Sequence, residues 1–260
     1  MQPIAKMQPG AIRGLFFDID DTLTTDGRLT AHAYAALERW KGADRIAVPV
    51  TGRPAGWCDH IARMWPVDAV VGENGAFYFR YDRAEQRLAK RFLHDEATRA
   101  ANRARLAAVR DRILVAVPGC ALASDQQYRE TDLAIDFCED VPALPLSEAE
   151  RIATLMREGG LSARISSIHV NGWFGDYDKL GMTKTLAREC FGVDLDAERA
   201  QFAFAGDSPN DAPMFGYFQN SIGVANVRRF ESLLAAPPAY VTAAEAGAGF
   251  AELVTRLLEA

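Results

Sequence analysis

Cysteine and histidine are scarce, with four of each in 260 residues. The cysteines, Cys58, Cys120, Cys138 and Cys190, are widely scattered and form no C-x-x-C pair. That spacing argues against a disulfide framework and a thiolate zinc site, and points to reduced thiols in a cytoplasmic protein. Long apolar runs are missing too. No window approaches the roughly 20 apolar residues of a membrane helix, and Met1 to Arg13 has no apolar segment long enough for a signal peptide. Nor is there an excess of basic charge. Lys and Arg number 29 against 35 Asp and Glu, for a net charge of −6 and an isoelectric point near 5.3. Such a chain suits nucleic acid poorly, because phosphate contacts supply most of that affinity. No internal repeat is present. What remains is 49% hydrophobic and 25% charged, enough to bury a substantial core.

Three apolar runs end abruptly in polar residues. Gly14-Leu15-Phe16-Phe17 stops at Asp18-Ile19-Asp20-Asp21-Thr22. Read as a buried strand leaving a sheet, it carries Asp18 and Asp20 on one face and turns Ile19 into the core. Neighbouring carboxylates repel, and a hard divalent cation offsets that charge best. Ala47-Val48-Pro49-Val50 ends in Thr51-Gly52-Arg53, and Phe202-Ala203-Phe204-Ala205 ends in Gly206-Asp207-Ser208-Pro209-Asn210-Asp211. Asp178-Lys179 stands just before a helical segment. An acidic turn after a strand would explain one Asp-x-Asp alone; three such strand ends converge on the place where open α/β sheets bind ligands.

Strands alternate with helical patterns along the chain, which predicts an α/β fold with a Rossmann-like parallel sheet and helices on both faces. Helices are expected over Ala31 to Lys41, Ala55 to Trp65 and Lys179 to Phe191. Asn74-Gly75 between apolar runs predicts a tight turn. From about Asp82 the texture changes. Residues 83–112 are charged and alanine-rich, a helical composition ending in Ile113 to Val117. A strand over Leu133 to Phe137 follows, then a helix opened by the capping box Ser147-Glu148-Ala149-Glu150, then one strand from Ala163 to Val170. A second capping box, Thr242 to Glu245, should start the last helix. The chain thus divides into a core, residues 1–82 and 172–260, and an inserted cap domain, residues 83–171.

The strand-end motifs, with Gly72-Glu73-Asn74-Gly75-Ala76, resemble those of the haloacid dehalogenase superfamily of phosphohydrolases, in the subfamily with a large cap. The resemblance implies a phosphatase of the sugar-phosphate or phosphoglycerate type that uses Mg²⁺. Asp18 would be the nucleophile, forming an aspartyl phosphate that splits one hard step into two. Asp20 would protonate the leaving oxygen and then activate water. Metal ligands would come from Asp18, the Asp20 main-chain carbonyl and Asp207, with Asn210 and Asp211 completing the shell. Thr51 and Lys179 would bind the phosphoryl oxygens with the N–H groups of Ile19 and Gly52. Thr51 also reads as a simple strand end, and Asp211 as the N-cap of Ala212–Phe215. Lys184 competes with Lys179 for the lysine position, but the two differ by roughly 140° around a helix, and Lys179 stands nearer the strand ends. Arg53, Glu73, Asn74, Gln127, Arg129, Ser167, His169 and Asn171 are candidates to read the substrate beyond its phosphate. The expected partner is a small phosphorylated metabolite. A phosphomutase and an inactive regulatory binding protein are the alternative functions.

Overall fold

Alternating apolar and amphipathic stretches fold into alternating strands and helices. The structure, a computed structural model, describes residues 1–8 and 10–259. In chain order, β1 (Gln2–Pro3) and β2 (Gly14–Phe17) precede α1 (Ala31–Gly42), β3 (Ile46–Pro49) and α2 (Ala55–Met64). β4 (Val70–Gly72), β5 (Phe77–Asp82) and β6 (Arg87–Phe92) follow, then the long helix α3 (Glu96–Ala116). Next come β7 (Ala121–Leu122), β8 (Leu133–Asp136), α4 (Leu146–Glu158), β9 (Ser162–Ile165) and β10 (His169–Trp173). The chain continues through α5 (Lys179–Phe191), α6 (Leu195–Glu198), β11 (Phe202–Gly206), α7 (Ala212–Tyr217), β12 (Asn220–Gly223), β13 (Tyr240–Val241) and α8 (Ala246–Leu258). Among the described residues no helix is long and apolar enough to cross a membrane.

The main sheet has the order β1-β13-β12-β11-β2-β3, every pair parallel. The expected parallel sheet with helices on both faces is borne out. Side-chain alternation divides its core. Leu15, Phe17, Ala203 and Ala205 pack on one face with residues of α1 and α8, including Leu37, Trp40, Phe250 and Leu253. Phe16, Phe202 and Phe204 pack on the other with Leu186, Met214 and Phe218. The Phe16 ring lies 5.7 Å from both Phe202 and Phe218, and burying one such ring stabilises the fold by about 1.5–3 kcal/mol. Because β2 and β11 are neighbours, their carboxyl ends deliver Asp18 and Asp207 side by side.

A second sheet, β4-β5-β6, is antiparallel and touches the first through a bridge between Val50 and Val71. A third, β7-β8-β10-β9, is antiparallel and is backed by α3 and α4. Leu106, Ile113, Ile135, Ile152, Met156 and Val170 form its own core.

Four local expectations are corrected. Residues 87–92 are not helical; they form β6, paired with β5 from Asp82↔Arg87 to Phe77↔Phe92. The Asp82 carboxylate turns the chain by accepting from Ala84 N at 2.9 Å and Glu85 N at 3.0 Å, and Leu88 and Phe92 then pack beside α2. The single strand expected over 163–170 is two, folded back at Ser166, whose Oγ bonds the His169 main chain at 3.0 Å in both directions. Neither capping box forms. α4 begins at Leu146, with Pro145 as its N-cap in place of Ser147, two residues earlier than the box implies. α8 begins at Ala246, while Thr242 Oγ donates to Ala244 O at 2.7 Å. β1, formed by Gln2–Pro3 against β13, had no signal in the sequence. The hairpin β5–β6 opens the stretch expected as the cap, yet its sheet includes β4; the four-stranded sheet with its two helices spans residues 96–173.

Candidate active site

Asp18 leaves the end of β2 with its N–H still in the ladder, donating to Ala205 O at 2.9 Å. Its carboxylate is buried and meets a buried ammonium: Lys179 Nζ donates to Asp18 Oδ1 at 2.9 Å and to Asp211 Oδ1 at 2.6 Å. The other oxygen of Asp211 accepts from Asp207 N at 3.0 Å and Ser208 N at 3.3 Å. Asp211 is thus bound to the turn before it and makes no side-chain cap to α7. Asp207 accepts from Thr22 Oγ at 3.4 Å and from Asn226 Nδ2 at 3.2 Å, and Asn226 also donates to Asp21 O at 2.9 Å. The sequence reading missed Thr22 and Asn226 as supports of Asp207. The position of Asn226 just beyond a strand end was their one signal. Lys184 is elsewhere, on the surface with Asp196 at 2.6 Å.

Carboxylate oxygens of Asp18, Asp207 and Asp211 lie within 4.8 Å of one another. One ammonium faces three carboxylates in a buried place. Burial pushes Asp18 up to about 7, with Lys179 opposing and Asp211 and Asp20 adding to the rise. Burial, then Asp18 and Asp211, push Asp207 well above the usual carboxylate range. Lys179 stays protonated: burial opposes its charge, but Asp18 and Asp211 outweigh it. The uncompensated negative charge and the all-oxygen donor set fit a hard divalent cation such as Mg²⁺.

Around this cluster lies a polar rim. Asp20 turns toward Arg53, whose Nε lies 3.0 Å from both its oxygens and whose Nη2 lies 2.8 Å from one. The same guanidinium reaches Glu139 at 2.5 Å and Asp125 at 3.3 Å, both on the four-stranded sheet's side, and stacks over Trp57 at 4.3 Å. Thr51 Oγ accepts from Arg53 N at 3.0 Å. Asn74 Oδ1 accepts from Asn210 Nδ2 at 3.2 Å, while Asn74 Nδ2 is buried without a partner. A side chain at Gly52 would meet Asn74 Nδ2 at 3.2 Å, so the glycine leaves that donor its space. His169 Nε2 lies 2.9 Å from Glu139 Oε2, and Asn171 Nδ2 donates to Asp132 at 2.9 Å.

These groups enclose a cavity of about 10 Å³ lined by Asp18, Asp20, Gly52, Arg53, His169, Asn171, Asn210 and the turn residues Ser166 and Ile168. That is room for about one water. A much larger cavity, about 820 Å³, lies between α4, β9 and α7 and is lined by none of the acid cluster. Arg129, expected at the substrate, does not line the small cavity. Its guanidinium bonds Asp125, Asp132 and Gly52 O, the last at 2.8 Å. Gln127 also lies outside it. Glu73 faces away from the cavity as well. It accepts from Ala55 N at 3.0 Å, Glu130 N at 2.9 Å, Thr131 N at 2.7 Å and the Thr131 hydroxyl. Arg129 and Glu73 therefore fasten the two parts of the molecule together. Sequence reading gave no sign of Asp125 or Glu139.

Residues 15–105 match the sequence family described as haloacid dehalogenase-like hydrolase. Over 248 residues the chain is 30% identical to a phosphoglycolate phosphatase of Haloarcula marismortui, covering 92% of this chain and 95% of that one. Among solved structures, a protein of Thermoplasma acidophilum superposes with a TM-score of 0.68 at 16% identity, covering 96% of this chain and 99% of the other. The sucrose-phosphatase of Synechocystis sp. PCC6803, in complex with sucrose and phosphate, gives a TM-score of 0.63 at 15% identity, covering 95% and 98%. These two likenesses concern the fold.

Proposed function

Because the chain belongs to the haloacid dehalogenase-like hydrolases, we propose that its buried acid cluster hydrolyses the phosphate ester of a small metabolite through an aspartyl phosphate. The enzyme is a phosphoric monoester hydrolase. Its substrate class is a sugar phosphate or a phosphoglycerate derivative; the Synechocystis protein of the same fold is a sucrose-phosphatase, while the Haloarcula relative is a phosphatase of phosphoglycolate, a smaller ester. The observation that carries the reading is the pairing of Asp18 with Lys179 at the carboxyl end of β2, with Asp207 and Asp211 beside it.

Asp18 attacks phosphorus, and the ester P–O bond breaks as the Asp18 O–P bond forms. Asp20 hands a proton to the departing oxygen and later takes one from water. To do so it must turn from Arg53, which holds it in the closed form. Lys179 keeps Asp18 oriented and meets the phosphoryl charge. Thr51, the N–H groups of Ile19 and Gly52, and the unpartnered amide of Asn74 donate to the phosphoryl oxygens. Asp18, Asp207 and the Asp20 carbonyl would hold Mg²⁺, with Asn210 and Asp211 behind them. When bound, the ion offsets the charge of phosphate and carboxylates. Residues 96–173 act as the cap that covers the ester.

The test is phosphate release from a panel of phosphorylated metabolites by the wild type and by Asp18→Asn. The variant should fold and lose turnover by roughly three orders of magnitude or more, because an amide cannot form the phosphoenzyme. Wild-type-like release by the variant would refute the covalent route. Transfer to an added alcohol without release of phosphate would indicate a mutase.

A further inference from the structure

Arg53 stands in the cavity wall, where it is the cation that an anionic group on a substrate would meet first. All of its donors are already taken. Nε and Nη2 bond Asp20, Nη2 and Nη1 bond Glu139, and Nη1 bonds Asp125. Guanidinium has five N–H donors, and here three carboxylates share them. The other cations nearby are equally committed: Lys179 to Asp18 and Asp211, Arg129 to Asp125 and Asp132. Of the cap side chains that line the cavity, Ser166, Ile168 and Asn171 are uncharged, and the His169 ring lies against Glu139 at 2.9 Å.

Glu139 is held in place for this contact. The Asp136 carboxylate, at the end of β8, accepts from Cys138 N at 2.9 Å and from Glu139 N and Asp140 N at 2.8 Å each. Burial works against the charge of Glu139, yet the contacts with His169 and Arg53 pull it down to about 2. It is therefore an anion at every working pH.

We propose that Glu139 is a positioning residue that sets substrate choice. By occupying Arg53 it turns the site against leaving groups that carry a carboxylate and favours uncharged, hydroxyl-bearing ones. The inference rests on the phosphatase reading above. When Asp20 turns away to work, Glu139 and Asp125 still hold Arg53, so an entering carboxylate either displaces Glu139 and leaves a half-buried anion without its partner or adds a third anion beside the two, and both are costly. A hydroxyl lets the Arg53–Glu139 pair re-form over the bound ester and can donate to Glu139 or to the amide oxygen of Asn171.

Matched substrates isolate the charge: phosphoglycolate against hydroxyethyl phosphate, and phosphoglycerate against glycerol phosphate, each measured as kcat/KM with Mg²⁺. The wild type should prefer the hydroxyl member of each pair by roughly tenfold or more. Glu139→Gln should raise the carboxylate-to-hydroxyl ratio by roughly tenfold, because Glu139 no longer offsets the charge of Arg53. Glu139→Asp should retain the wild-type order. A wild type that prefers the carboxylates overturns the proposal, as does a Glu139→Gln variant in which both members change equally. A generic aryl phosphate separates the two levels. If it is hydrolysed and the ranking is reversed, only the role of Glu139 fails. If it is not hydrolysed, the phosphatase reading fails with it.

Discussion

Lys179 is the first residue of α5, where a positive charge meets the positive end of the helix macrodipole. It is also fully buried. Both placements oppose an ammonium, and two carboxylates within 2.9 Å offset them. Lys179→Ala should therefore leave Asp18 and Asp211 repelling each other and lower kcat by roughly a hundredfold or more, whereas Lys184→Ala, which removes an exposed pair, should cost little. Steady-state kinetics on both variants decides the assignment. Gly206 imposes a second constraint. A Cβ there would lie 2.4 Å from Asp211 Oδ2, so Gly206→Ala must push Asp211 off the Asp207 and Ser208 N–H groups. The expected result is a folded protein, by circular dichroism, with strongly reduced turnover; full activity would show that Asp211 can shift freely. At this scale the sequence was legible wherever chemistry sat at a strand end, as with Asp18, Asp20, Thr51 and Asp207. Glu139 was not, because its partner Arg53 is 86 residues away and only the closed fold brings them together.

The segment joining β4 to β5 has three successive residues with positive φ, Glu73 at 42°, Asn74 at 54° and Gly75 at 105°. Only glycine fits the last position: a Cβ on Gly75 would stand 2.0 Å from Asp178 O, at the N-cap of α5. This tight turn aims Asn74 at Asn210, which lines the cavity, and Glu73 at the Glu130 and Thr131 main chain. Burial, then Asp132, push Glu73 up to about 7, with Arg129 opposing. Its folded value is raised above its ordinary one near 4.5, so its contribution to stability is complete below that value and is lost as pH rises through about 7. Melting temperatures measured between pH 4.5 and 8 should fall with pH more steeply in the wild type than in Glu73→Gln; identical slopes would mean that Glu73 titrates normally. Asn-Gly announced this turn in the sequence. β6 went unannounced because its Arg-rich composition matches an exposed helix, and only pairing with β5 gives Leu88 and Phe92 a common face. The missing capping boxes teach the same lesson: a local pattern loses when a proline, or Glu252 accepting Ala243 N and Ala244 N, already settles the chain.

Taken whole, the molecule holds three buried carboxylates against one ammonium at the joint between its sheets. A bound divalent cation relieves that imbalance in the folded state alone, so Mg²⁺ should raise the melting temperature of the wild type and do so much less in Asp207→Asn. Thorough chelation should abolish phosphate release and Mg²⁺ restore it. The alternating pattern made the α/β architecture readable from sequence, since parallel strands buried on both faces need apolar runs. How the four-stranded sheet seats on the rest was not readable, because the contacts that join them, Arg53–Glu139, Glu73–Thr131 and Arg129–Gly52 O, form only across the joint. One consequence concerns time. A space of about 10 Å³ admits neither a metabolite nor its dephosphorylated product, so every catalytic cycle must part the Arg53–Glu139 and Glu73–Thr131 contacts before the next ester can enter. If that parting paces the cycle, the turnover number should fall as the medium is thickened with a small inert viscogen, while an aryl ester too poor to saturate the chemistry should be indifferent to it. Comparing the two slopes would show whether this enzyme's clock is the bond being broken or the friction of the solvent.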